Sequence, residues 1–123
     1  MFFDMHADLW TDNLWEYEKG KNDVIRRKYK ERFIEGGVFG GIFVIYLNTF
    51  KDSKPEETFF RSLRAMSEEL YHARDLVHVI KNPEDFEKAK SQNKFATLLG
   101  IEGLPGIGAN LDYIYLLERI GIR

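Results

Sequence analysis

The sequence predicts an α/β protein built on a parallel sheet, and three observations predict it. Phe2–Ala7, Val38–Leu47 (VFGGIFVIYL) and Phe95–Ile101 (FATLLGI) have the character of buried strands. The last two are almost continuously apolar, as a parallel strand covered on both faces must be, whereas an antiparallel strand with one wet face alternates. Helical patterns separate these runs, and strand and helix in alternation imply right-handed crossovers between parallel strands.

In chain order, the first strand is Phe2–Ala7, and the first helix is predicted over Val24–Glu35. There Ile25, Tyr29 and Phe33 recur every four residues and Gly36-Gly37 ends the run. Val38–Leu47 is the second strand. A second helix opens on Ser53-Lys54-Pro55-Glu56, which fits a capping box with proline in the first turn. Its apolar stripe is Phe59, Leu63, Met66, Leu70 and Ala73. The run Val77–Ile80 is only four residues long, with helical signals close on both sides, and is assigned to the connection. A short helix follows Asn82-Pro83-Glu84-Asp85 with Asn82 as N-cap, and Phe95–Ile101 is the third strand. A fourth helix spans Leu111–Ile120, with Asn110 as N-cap and Gly121 as the C′ residue. Ile122 and Arg123 stand where the alternation calls for another strand, so the chain reads as the opening of a larger α/β protein.

Composition narrows the chemistry. The 123 residues hold 18 Lys plus Arg against 20 Asp plus Glu, three histidines and no cysteine. Without thiols there is no disulfide framework, no Cys-ligated zinc and no cysteine nucleophile, so a metal site must use His, Asp and Glu. At 44% apolar and 15% aromatic the chain is that of a folded domain. A net charge of −2 leaves no footprint for nucleic acid. No window approaches the roughly 20 apolar residues of a membrane span, and MFFDMHADLW lacks the basic start of a secretory leader. The expectation is a cytoplasmic protein without nucleic-acid or membrane partners.

His6-Ala7-Asp8 ends the first strand. Residues i and i+2 of a strand point to one side, so an imidazole nitrogen and a carboxylate oxygen there reach one cation; alternatively the pair caps the strand's exposed end. Glu102 directly follows the third strand. It therefore belongs at the same end of the sheet, where parallel α/β folds gather ligands and catalytic groups. The other reading of Glu102 is an acid near the amino end of the next helix. His72, beside the apolar stripe of the second helix, and His78, in the VHVI connection, read as surface or packing residues. Trp10, Trp15 and Tyr17 either wall a substrate pocket or belong to the core. Gly103-Leu104-Pro105-Gly106-Ile107-Gly108 sits between strand and helix, where a glycine-rich turn cradles phosphate. Its spacing is unusual, Pro105 removes a donor, and Glu102 would place negative charge beside the anion. A non-enzymatic module binding a phosphate-containing ligand at Gly103–Gly108, or acting through self-association, is the alternative reading.

Asp4-Met5-His6-Ala7-Asp8, Gly36-Gly37-Val38 opening a strand that ends in Tyr46, Leu99-Gly100-Ile101-Glu102-Gly103, and a helix ending in Glu118-Arg119-Ile120-Gly121-Ile122-Arg123 resemble, in order and spacing, the amino-terminal part of the membrane (renal) dipeptidase family. The resemblance implies a fragment, residues 1–123, of a single (β/α)8 TIM barrel, comprising its first three β/α units. It also implies two zinc ions at the strands' carboxyl ends. By the same resemblance His6 and Asp8 are ligands of one zinc, Glu102 is the catalytic carboxylate that bridges both, and Tyr46 joins Trp10 at the substrate pocket. The family's Gln and Trp on the second strand are replaced by Gly41 and Phe43, and its second glycine after the bridging glutamate by Leu104-Pro105. The second zinc's histidines lie later in the family pattern, so this chain holds one ion at most. The implied activity is hydrolysis of dipeptides by a metal-activated water, with the 123-residue chain alone inactive. The open edges of a partial barrel imply a homo-oligomer.

Overall fold

The computed structural model of the chain describes residues 1–47 and 54–123. Strand β1 (Phe2–Ala7) leads into helix α1 (Leu9–Glu18). A π-helical turn (Ile25–Tyr29) runs into α2 (Lys30–Glu35) and then β2 (Val38–Tyr46). Next come α3 (Pro55–His72), the short strand β3 (Val77–Val79), α4 (Glu84–Ser91) and β4 (Phe95–Glu102). A 3₁₀ turn at Pro105–Ile107 precedes α5 (Asp112–Ile120). The strands form one sheet in the order β1-β2-β4-β3, and every pairing is parallel. The predicted fold class is therefore the observed one.

Residue alternation along β4 explains its almost continuously apolar sequence. Leu99 joins Phe43 and Ile45 of β2, Phe59 and Met66 of α3, and Trp10 of α1 in the main core, with Phe95 and Ile101 packed against it. Ala96 faces a second, smaller cluster with Ile80 and Ala89, against which Phe3, Phe39, Phe86 and Leu98 pack. Helices thus cover both sides of the strand, and no alternation of polar residues is tolerated.

Several expectations are corrected. Val77–Val79 is a strand and not a connection: it pairs with Phe95–Thr97, so its evidence lies eighteen residues further along the chain. The sheet accordingly has four described strands rather than three. Helix α1, which no sequence expectation assigned, buries Leu9, Trp10, Asn13 and Leu14. The helix predicted from Val24 begins as a π-helical turn, with Ile25 N–H donating to the buried carboxylate of Glu69, 2.7 Å away on α3. Asn82 does not cap α4. Pro83 holds the N-cap position, and Asp85 instead reaches back to fix the approach to the helix, its Oδ2 accepting the N–H groups of Lys81 (3.0 Å) and Asn82 (3.2 Å). α3 starts at Pro55 after Lys54, and Ser53 of the predicted capping box lies outside the described residues. α5 starts one residue later than expected, with Leu111 rather than Asn110 at the N-cap position, although Asn110 Oδ1 accepts Asp112 N–H at 3.0 Å, and Gly121 closes α5 in the left-handed region at φ 105°. Ile122 then pairs in parallel with Leu99, so the chain re-enters the sheet beside β4.

Candidate metal centre

Parallel strands bring all their carboxyl ends to one side, and this is what assembles His6, Asp8 and Glu102. His6 is the penultimate residue of β1, Asp8 follows that strand, and Glu102 ends β4. His6 Nε2 lies 3.1 Å from Glu102 Oε2 and 3.9 Å from Asp8 Oδ1, and one ligand atom from each residue falls within 4.8 Å of the others. Donors bound tetrahedrally at about 2.1 Å to a zinc-like ion stand roughly 3.4 Å apart, so these separations fit one cation with little adjustment. One imidazole and two carboxylates suit borderline and hard divalent ions. All three side chains are exposed, open to water and to an incoming ligand.

The alternative roles of these residues are not realised. Asp8 occupies the N-cap position of α1, yet its side chain makes no capping hydrogen bond. Glu102 stands ten residues before α5, and its carboxylate faces His6 instead of a helix end. The strand end is held in place locally: His6 N–H donates to Asp4 Oδ1 at 3.0 Å.

Tyr46 ends β2 directly opposite Glu102 in the β2–β4 register and is partly exposed. Its backbone N–H donates to Thr11 Oγ1 at 2.8 Å, tying the end of β2 to α1. Trp10 requires correction, because it is wholly enclosed in the core and presents no surface to a substrate. Of the neighbouring aromatics, Trp15 is 58% exposed and walls a cleft of about 730 Å³ that also meets Asp8, Tyr46 and Leu47. Across that cleft Arg61 Nη1 pairs with Glu18 Oε1 at 2.8 Å. Tyr17 instead faces a smaller cavity with Glu69 and His72. Sequence reasoning missed Thr11 and Arg61, and only Arg61 carries a signal in its charge.

Beneath the cleft Asp12 anchors α1. Lys28 Nζ lies 2.6 and 2.7 Å from its two oxygens, and the Tyr29 hydroxyl donates to Oδ2 at 2.7 Å. Burial pushes the Asp12 carboxyl up, but the Lys28 and Tyr29 hydrogen bonds outweigh it and hold the group below the ordinary carboxylate range. Burial and the Asp12 charge together push the Tyr29 hydroxyl above the usual tyrosine range. His78 is only partly buried and lies 3.7 Å from Asp85, while His72 is exposed at the end of α3.

The Gly103–Gly108 loop does not form an anion cradle. Ile107 N–H and Gly108 N–H donate to Leu104 and Pro105 carbonyls of the loop itself. A Cβ on Gly106 would sit 2.3 Å from Phe59 Cβ, and one on Gly108 2.8 Å from the carboxylate oxygen of Glu56. These glycines permit close packing, with acids on both sides.

Solved structures share the fold, three of them as follows. A dipeptidase AC, a metallopeptidase of family M19, superposes with TM-score 0.76 and 22% identity over 98% of this chain. A metallopeptidase from Rhodobacter sphaeroides, liganded with a phosphinate mimic of the dipeptide L-Ala-D-Ala, gives TM-score 0.75 and 20% identity over 98%. An amidohydrolase from Pseudomonas aeruginosa gives 0.60 and 18% over 77%. This chain spans 40%, 43% and 29% of those chains. No family model matches the sequence, and no curated protein matches it. The expected likeness to dipeptidases is thus found as a likeness of fold, of which this chain makes up part.

Proposed function

We propose that the chain is the amino-terminal part of a metal-dependent dipeptidase, in which His6, Asp8 and Glu102 hold one divalent cation, a role their donor set allows zinc to fill. The observation that carries this reading is the convergence of an imidazole and two carboxylates within 4.8 Å at the strands' carboxyl ends. The fold likeness to two metallopeptidases supports it. A cation of this class supplies Lewis acidity, which lowers the pKa of water and polarises a peptide carbonyl. The chain's own residues supply position. His6 and Glu102, 3.1 Å apart, would hold the ion together with Asp8. Glu102 has a second oxygen with which to orient a water or a further ion. Tyr46, opposite Glu102 in the β2–β4 register and lining the same cleft as Asp8, is assigned to the bound peptide, its strand end tied to α1 through Thr11. The Trp15 cleft, opening beside Asp8, receives a substrate side chain.

Calorimetric titration with Zn²⁺ tests the site. One ion should bind per chain, and His6→Ala or Glu102→Gln should each weaken it at least as much as the roughly 10- to 100-fold lost with an outer-shell partner. Unchanged affinity in both variants would remove the reading. The cluster found among the described residues offers ligands for one ion. The 123-residue chain with added zinc should therefore leave an alanyl dipeptide intact over background. Metal-dependent turnover that Glu102→Gln abolishes would overturn that expectation.

A further inference from the structure

At the opposite end of the sheet lies a cavity of about 620 Å³. Phe33 and Ile34 of α2, Phe39 at the start of β2 and Phe95 at the start of β4 form its apolar wall, and Lys30 and Lys94 also line it. Phe95 and Glu102 are seven residues apart on β4, or roughly 23 Å at about 3.3 Å per residue, so the cavity is separate from the candidate metal centre.

Its charges are unbalanced. Lys30 and Lys94 are both half-buried, and neither ammonium has an ion-pair or hydrogen-bond partner among the described residues. Asp75, the one carboxylate in the lining, is already bound by Arg26 at 2.8 Å. Two amines without a counter-charge beside an apolar wall attract an anion that brings its own apolar body, since partial burial strengthens the attraction and the wall excludes water. The volume is that of a site for a small organic molecule. Gln92 and Asn93, the latter in a left-handed turn at φ 53°, add amide groups at the lining.

We propose that this cavity binds a small organic anion with a flat apolar body, its acid group between Lys30 and Lys94 and its ring against Phe33, Phe39 and Phe95. The proposal is independent of the metal reading. Its test uses naphthalene-2-carboxylate, naphthyl phosphate, the neutral naphthalene-2-carboxamide and acetate, titrated onto the chain by NMR. Both aromatic anions should shift the amides of residues 33, 34 and 95. The tighter of the two identifies the acid group, the carboxamide should bind about tenfold more weakly, and acetate should show no saturable shift. The Lys30→Gln/Lys94→Gln double variant should bring the anions to the carboxamide's affinity, roughly threefold being lost per amine. The carboxamide's own affinity should not change, which shows that the variant is folded. Glu102→Gln should leave every affinity as it was. Equal binding of anion and carboxamide, insensitivity to the double variant, or no saturable binding of either anion would overturn the proposal.

Discussion

Asp8 and Asp85 both stand at the start of a helix, and their carboxylates do opposite things there. Asp85 Oδ1 receives Lys88 Nζ at 2.8 Å while Oδ2 takes two backbone N–H groups, and these hydrogen bonds, led by that of Lys88, hold its carboxyl well below the ordinary range. Asp8 makes no such bond and faces His6. Sequence alone does not foresee this contrast, because Asp8 reads as the end of a strand and Asn82, not Asp85, as the cap of α4. Asp85→Ala should therefore lower the thermal midpoint at neutral pH. A group whose folded pKa is depressed stabilises the fold above its unfolded pKa near 4, and that contribution fades as the pH falls towards the folded value. The difference in midpoint between wild type and variant should accordingly narrow below about pH 4; a constant difference would argue against the ionic origin. The two tryptophans form another contrast. Trp10→Ala should cost about 3–5 kcal/mol in denaturant unfolding. Trp15→Ala, on the exposed wall of the cleft, should stay within about 0.5 kcal/mol.

At the scale of elements, long apolar strands and the stripe of α3 were legible because burial on both faces, or on one, writes directly into residue type. What escaped depends on distant partners. β3 has three residues and exists through its pairing with β4, and the π-helical turn donates its first N–H, that of Ile25, to Glu69, 44 residues away. α1 was hidden by Asn13, a polar residue at a buried position that breaks the apolar pattern. The candidate cluster was legible in its members, since each lies at or next to the carboxyl end of a strand, whereas the burial of Trp10 required knowledge of the helix it belongs to. Glu69→Ala should test the long-range link. It leaves the Ile25 N–H without a partner and should destabilise the fold by about 1–3 kcal/mol, while Glu69→Gln, which keeps an acceptor, should cost less. Equal losses in the two variants would place the effect in packing instead.

Across the whole molecule, β1 forms one margin of the sheet, with Phe2 and Met5 each 69% exposed, and α5 turns Leu111, Ile114 and Tyr115 outward. An open strand edge beside apolar side chains favours pairing with another chain, so light scattering on the purified chain should show self-association that grows with concentration. A monodisperse monomer at high concentration would contradict this. The opposite margin carries a different consequence. Successive outward carbonyls of β4 are handed from one segment to another: Thr97 accepts Ile80 N–H at 2.9 Å, and Leu99 accepts Arg123 N–H at 2.9 Å. The Arg123 guanidinium then reaches back to the Lys81 carbonyl at 3.1 Å. The segment leaving β4 and the segment arriving at it are thereby latched together, and they should open as one cooperative unit. In deuterium exchange the amides of Ile80 and Arg123 should lose protection in parallel, and Arg123→Ala should accelerate exchange at Ile80, although the two residues lie 43 positions apart in the chain.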